Sequence, residues 1–162
     1  NRLDGLQFRS GIFTNLSHDH LDYHKNLKNY LKAKLYLFEI LIKKKGNVIT
    51  DEKIPEIKKI KKITLNKSLK LYIINNKKNN FNILSHTFKG DSQILKIKYN
   101  NTIQDINLKL IGKIQLKNVI MAIIAAKQSN IEITKILKVI PKIKSVEGRF
   151  QKIGKLKNQS KF

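Results

Sequence analysis

The sequence predicts an α/β fold, a mostly parallel sheet flanked by helices with a small antiparallel sheet added to it. Three observations predict it. Between Gly11 and Thr50 two short apolar runs enclose a stretch of helical period, a strand-helix-strand unit of the size that joins parallel strands by a right-handed crossover. From Asn82 to Leu110 the period falls towards two. Leu95, Ile97 and Tyr99 alternate with polar residues, and Ile106, Leu108 and Leu110 repeat the pattern after Asn100-Asn101, which marks a hairpin with one wetted face. Val119 to Ala126 is apolar nearly all round, as suits a helix buried against a sheet.

Taken in order, Gly11-Ile-Phe-Thr-Asn-Leu16 reads as the first strand, and His18, Asp19, His20, Asp22 and His24 follow it. In an open α/β sheet ligands bind at the carboxyl edge of the strands, so these imidazoles and carboxylates are candidate metal ligands or acid–base groups. Asn26 is placed to cap a helix running to about Ile42, with Tyr30, Leu31, Leu35, Phe38 and Leu41 on its apolar face. Lys34 falls on or beside that face. Spacing alone favours snorkelling, the stem covering the core edge and the amine reaching water. The alternative is a buried amine able to react or be modified near the histidines.

Lys43-Lys-Lys-Gly46 is expected to end this helix, with cations in the last turn and the glycine free to take a left-handed cap. Asn47 to Thr50 is then a short strand closed by Asp51. The lysine-rich stretch from Ile54 to Ile63 has room for a helical turn, Leu69 to Ile74 is a further strand, and Asn75 to Asn80 is a polar loop. His86, alone in the hairpin region, reads as a structural or surface histidine. Gln115 and Asn118 open the apolar helix, which ends near Ser129-Asn130. Their amides can hydrogen-bond a planar ligand or cap the helix, and spacing favours capping. Thr134 is placed to cap a short last helix through Ile140, which Pro141 stops, and Val146 to Phe150 has turn character.

Composition narrows the function classes. With 162 residues the chain is about one domain long. Without cysteine it has neither disulfides nor thiolate metal sites. No run approaches the roughly 18 apolar residues of a membrane helix, and no basic-then-apolar leader opens the chain, so a cytoplasmic origin is expected. Both ends read as cuts through a longer protein. The net charge of +23 would suit a lysine-rich nucleic-acid-binding module. The lysines are spread along the chain without interleaved aromatics, however, so solvated surfaces are the favoured reading, with steering of anionic small substrates and nucleic-acid binding left level behind it.

The histidine cluster narrowly misses the His-x-His-x-Asp-His pattern of two-metal hydrolases, because Tyr23 stands where the last histidine belongs and only His86 remains downstream. Phosphoryl activation would need a phosphate loop, and no Gly-x-x-x-x-Gly-Lys-Ser/Thr is present. An intact ATP enzyme would carry it before Asn1.

Thr14-Asn-Leu-Ser-His-Asp-His-Leu-Asp-Tyr-His24, followed by Tyr30-Leu-Lys-Ala-Lys34 and Leu37-Phe38, resembles the central ATPase domain of the Mur ligases. The opening Thr-Asn-Leu, Asp-Tyr-His and Leu-Phe are most like the branch that adds the third residue of the peptidoglycan stem. Gly112-Lys-Ile-Gln-Leu-Lys-Asn118 resembles that family's Gly-x-Phe-Asn-x-x-Asn, and Val146-Glu-Gly-Arg149 its Val-Pro-Gly-Arg.

The resemblance implies a P-loop-NTPase-like central domain over residues 1–150, lacking its N-terminal part, with 151–162 a linker into a C-terminal domain. It implies ATP and Mg2+, and a cytoplasmic, monomeric ligase that joins meso-diaminopimelate or L-lysine to a UDP-muramoyl dipeptide through an acyl phosphate. Another Mur or folate-polyglutamate type ligase is the alternative within the family. By resemblance His20 binds Mg2+, Lys34 is carbamoylated and joins it there, and Arg2 lies near the dipeptide substrate. Asn15 and Asp19 belong to the magnesium and nucleotide neighbourhood, and Asp22 and His24 hold the loop through outer hydrogen bonds. Asn118 matches the adenine-side asparagine, Gln115 replaces its partner, Glu147 replaces a proline and Arg149 is the hinge arginine. The 162 residues alone are expected to be inactive.

Overall fold

A computed structural model describes residues 5–17, 24–74, 81–89, 92–99, 102–110 and 112–144. The expected α/β architecture is present as two three-stranded sheets with helices around the first. The parallel sheet has the order β1 (Phe8–Phe13), β2 (Ile42–Asp51), β3 (Lys70–Ile74). Its register sets Ile12, Ile49 and Tyr72 side by side, and Gly11, Val48 and Leu71 likewise, so alternate residues of each strand serve opposite faces. One face meets α1 (Leu27–Tyr36) and α2 (Ile57–Asn66) through Phe13, Leu35, Phe38, Val48 and Ile60. The other meets α3 (Lys113–Gln128), whose Ile120, Met121 and Ile124 join Ile49 and Ile74 in one core. Coverage on both sides explains why Gly46 to Asp51 is wholly buried.

The second sheet is antiparallel, in the order β4 (Phe81–Lys89), β5 (Ser92–Tyr99), β6 (Thr102–Leu108). The alternation of Leu95 and Ile97 with polar residues predicts its two later strands correctly, and these side chains pack with Ile106 and Leu108 into the α3 core. The predicted hairpin gains a third strand, because β4 pairs along nearly the whole of β5. His86 is structural: its Nε2 donates to Gln93 Oε1 at 2.7 Å, and Gln93 Nε2 in turn donates to the Leu110 carbonyl.

Several boundaries depart from the pattern in the sequence. The first strand is Phe8–Phe13, three residues before the apolar run at Gly11 to Leu16, because pairing with β2 stops at Phe13 and Thr50. The first helix widens at its exit into a π-helical turn over Leu37–Leu41, where the Ile42 N–H bonds to the Leu37 carbonyl five residues back. It does not end in a left-handed glycine cap. Positive φ falls on Lys45, at 61°, and Gly46 serves close approach instead. A Cβ there would stand 2.5 Å from Ile42 Cγ2 and 2.7 Å from the Lys43 carbonyl oxygen, so the lysine run is a bulged start to β2 and not the end of a helix.

Asn26 caps α1 as expected, accepting from Asn29 N–H at 2.9 Å. Gln115 and Asn118 do not cap α3, and Thr134 does not cap α4 (Ile133–Val139), whose N-cap is Glu132. Pro141 lies within a 3-10 turn, Ile140–Lys142, that follows α4. The turns at 100–101 and 146–150 lie outside the described residues. Among the described residues, no helix is long and apolar enough to cross a membrane.

Candidate functional site

The three parallel strands deliver their carboxyl ends at Phe13, Asp51 and Ile74. Thr50, fully buried, ties two of them together by donating from Oγ1 to the Phe13 carbonyl at 2.9 Å. Just beyond, the Lys34 ammonium donates to the Asn15 carbonyl at 2.7 Å. Its Nζ stands 4.7 Å from the centre of the Tyr30 ring and 5.7 Å from that of Phe13, and each ring face attracts the cation. This is the snorkelling geometry with a specific acceptor added: a half-buried stem, and an amine that reaches the carboxyl edge. His24 stacks on the other member of this group, its ring 4.7 Å from Tyr30 and 17° from parallel.

On the opposite face of the sheet, the first turns of α3 come to the same edge. Lys117 Nζ lies 2.5 Å from Asp51 Oδ2, and that carboxylate is 1% exposed. One residue on, Asn118 lines with Gln115 a groove of about 570 Å³ between α3 and α4, whose walls are otherwise mainly apolar, among them Leu110, Val119, Ile136 and Ile140. Two amides against apolar walls suit a planar heterocycle better than a charged group.

Lys34 and Asn15 are thus brought together, as are Gln115 and Asn118, and the two pairs flank one edge from its two faces. His24 sits beside Lys34 through Tyr30. Arg2, Asp19, His20, Asp22 and Arg149 lie outside the described residues. Among the described residues no cluster of three or more His, Asp or Glu side chains could hold a metal ion. The sequence reading missed Thr50 and Lys117 as site-forming residues and took Asp51 only as the end of a strand. The available signal was an acidic residue closing a buried apolar run beside a lysine adjacent to Asn118.

The profile of the Mur ligase middle domain matches residues 1–126. UDP-N-acetylmuramoyl-L-alanyl-D-glutamate--2,6-diaminopimelate ligase of Rickettsia bellii is 31% identical over 154 residues, 95% of this chain and 32% of the relative. The protein of the same name from Leptospira interrogans is 30% identical over 155 residues, 93% of this chain and 30% of the relative. The chain therefore spans about a third of the length of the curated relatives it matches. In fold it is similar to a solved structure of a ligase of that name, with a TM-score of 0.79 at 23% identity over 94% of this chain and 32% of the other. It is also similar to a solved structure of UDP-N-acetylmuramoylalanyl-D-glutamyl-2,6-diaminopimelate--D-alanyl-D-alanyl ligase from Acinetobacter baumannii, at a TM-score of 0.74 and 15% identity over 93% of this chain and 32% of the other. With the profile covering more than half of its length, this chain belongs to the Mur ligase family.

Proposed function

We propose that these residues form part of an ATP-dependent amide ligase that adds a third amino acid to UDP-N-acetylmuramoyl-L-alanyl-D-glutamate. The amino acid is meso-diaminopimelate or L-lysine, and the activity named for the Rickettsia and Leptospira relatives favours the first. The observation that carries the reading is Lys34, held at the carboxyl edge beside the chain that leads into residues 18–23. In this reaction a carboxylate oxygen of the dipeptide takes the γ-phosphoryl group of ATP, leaving ADP. The amine then attacks the acyl carbon, phosphate departs, and the nitrogen loses its proton.

The chain's residues divide this work by position. Gln115 and Asn118 offer amides to the adenine in an apolar groove that suits a base. Lys34 in its neutral form takes up CO2, releasing a proton and becoming a carbamate, which with His20 would hold Mg2+; a lysine cation there would repel the ion. When bound, Mg2+ neutralises charge on the phosphoryl oxygens. Asn15 and Asp19 border that position, and Asp22 and His24 hold the loop. Arg2 receives a carboxylate or phosphate of the precursor, and Arg149 lies at the hinge between a domain over 1–150 and a linker over 151–162. The protein acts in the cytoplasm as a monomer.

The test is phosphate release by the full-length protein given ATP, Mg2+, the muramoyl dipeptide and diaminopimelate or lysine. We expect turnover that falls about 100-fold or more in Lys34→Ala, and none from the 162 residues alone. Labelled bicarbonate should give a carbamate carbon signal that disappears in Lys34→Arg. Unchanged turnover in Lys34→Ala would refute the proposal, and activity from the isolated 162 residues would overturn the reading of them as an incomplete part of the enzyme.

A further inference from the structure

Asp51 stands apart among the buried side chains. The other buried polar residues among those described are Asn47, Thr50, Thr64 and Gln93, all neutral. A carboxylate with 1% exposure at the carboxyl end of the central strand is costly unless its charge is met. Its two oxygens do different things. Oδ1 accepts the Lys53 N–H at 3.0 Å and closes the turn that leaves β2. Oδ2 faces Lys117, which comes from α3 on the neighbouring face.

α3 needs such a hold, because its first residue follows Gly112, with φ 98°, and no side chain caps that end. Leu116 and Ile120 press the helix onto the sheet through apolar contact, which is non-directional and leaves rotation about the helix axis weakly fixed. An ion pair to a rigid strand end fixes that rotation. Lys117 lies between the two amide residues of the groove, so rotation of this turn would carry Gln115 and Asn118 with it.

We infer that Asp51 and Lys117 form a strut that sets the rotation of the first turns of α3 and so aims Gln115 and Asn118 into the groove that receives the nucleotide base. Both are positioning residues. The nucleotide assignment rests on the function proposed above; the strut itself does not.

The experiment uses the full-length protein with Asp51→Asn, Lys117→Met, their double variant and Lys117→Arg. Amide hydrogen exchange over residues 113–118, in the nucleotide-free state, reads the strut without reference to activity. Each single neutral variant is expected to speed exchange there at least tenfold, the double variant no more than the worse single, and Lys117→Arg to stay within twofold of the parent. In steady-state assays the KM for ATP should rise at least fivefold in the same variants, while kcat and the KM for the amino acid stay within twofold. Unchanged exchange, or two single effects that simply multiply in the double variant, would overturn the strut. Faster exchange with an unchanged KM for ATP would overturn its role in aiming the amides. A parent protein without ATP-dependent turnover would count against the ligase reading alone, since the exchange result stands by itself. Lys117→Met alters the partly exposed partner, so the test survives if Asp51→Asn fails to fold.

Discussion

The two sheets handle buried polarity in opposite ways. In the antiparallel sheet Gln93 spends both ends of its amide internally, accepting from His86 and donating to the Leu110 carbonyl. It binds the ladder to the segment leading into α3. In the parallel sheet Thr50 and Asp51 stand at the carboxyl edge of β2, directly after the enclosed apolar pair Val48 and Ile49, while the buried Asn47 donates to Ser10 Oγ at 3.1 Å further back. They tie strand ends and a helix to one place, next to which Lys34 emerges. The same desolvation cost is thus incurred for bracing in one half and for building an edge in the other. Chemistry is expected only where the polar groups converge on an edge.

The largest effect tests the claim that the parallel half is covered on both faces. Phe38, 1% exposed, fills the space between α1 and the sheet. Phe38→Ala should cost about 3–5 kcal/mol in urea unfolding, whereas Ile103→Ala, on the wetted face of β6 at 55% exposure, should stay within about 0.5 kcal/mol. Comparable losses would mean that the antiparallel sheet is covered too. The next effect separates bracing from chemistry. Gln93→Leu leaves the Leu110 carbonyl and His86 without their partner and should cost about 1–3 kcal/mol, with turnover per folded molecule unchanged. A fall in turnover at constant folded fraction would erase the distinction between the halves.

This contrast also explains what the sequence allowed one to read. The wetted face of β5 and β6 imprints a period of two on the residues, so Leu95, Ile97, Ile106 and Leu108 were legible as core. The doubly covered β2 leaves only an apolar run, which marks a buried strand without marking its ends. Its bulged start at Lys43 to Lys45 looked like the last turn of a helix, because a lysine run followed by glycine serves either purpose. What separates them is the pairing with β1, in which Phe8 matches Ile42 and Ser10 matches Asn47 with the bulge between, and that pairing is tertiary. At the site, the resemblance supplied Lys34, Gln115 and Asn118, while the Asp51–Lys117 pair joins residues 66 positions apart and no local pattern announces it.

Asn26 offers a smaller test on the same half. Its side chain satisfies one of the unpaired N–H groups at the start of α1, so Asn26→Ala should cost about 1 kcal/mol by the same unfolding measurement. No comparable loss should follow from Gln115→Ala, because that amide caps nothing. Equal losses would show that Gln115 takes a structural load on α3.

The smallest effect lies where the two halves meet. Tyr72 of β3 donates its hydroxyl to Gln128 Oε1 of α3 at 2.9 Å, and its pKa is raised above the ordinary 10.0, first by burial and then by the neighbouring Tyr99. A phenol with a higher pKa folded than unfolded keeps its proton longer in the native state, so the native state binds more protons once the unfolded phenol ionises. Its contribution to stability is fully present below about pH 10 and declines as pH rises from there towards the folded pKa. Lysines titrate over the same range, so the difference between the parent and Tyr72→Phe is the informative quantity. We expect the parent's stability advantage, measured by urea unfolding from about pH 8 to 11, to shrink above about pH 10. An advantage that stayed constant across that range would mean that the seam between β3 and α3 is open to water, and that the parallel half is less enclosed than its core implies.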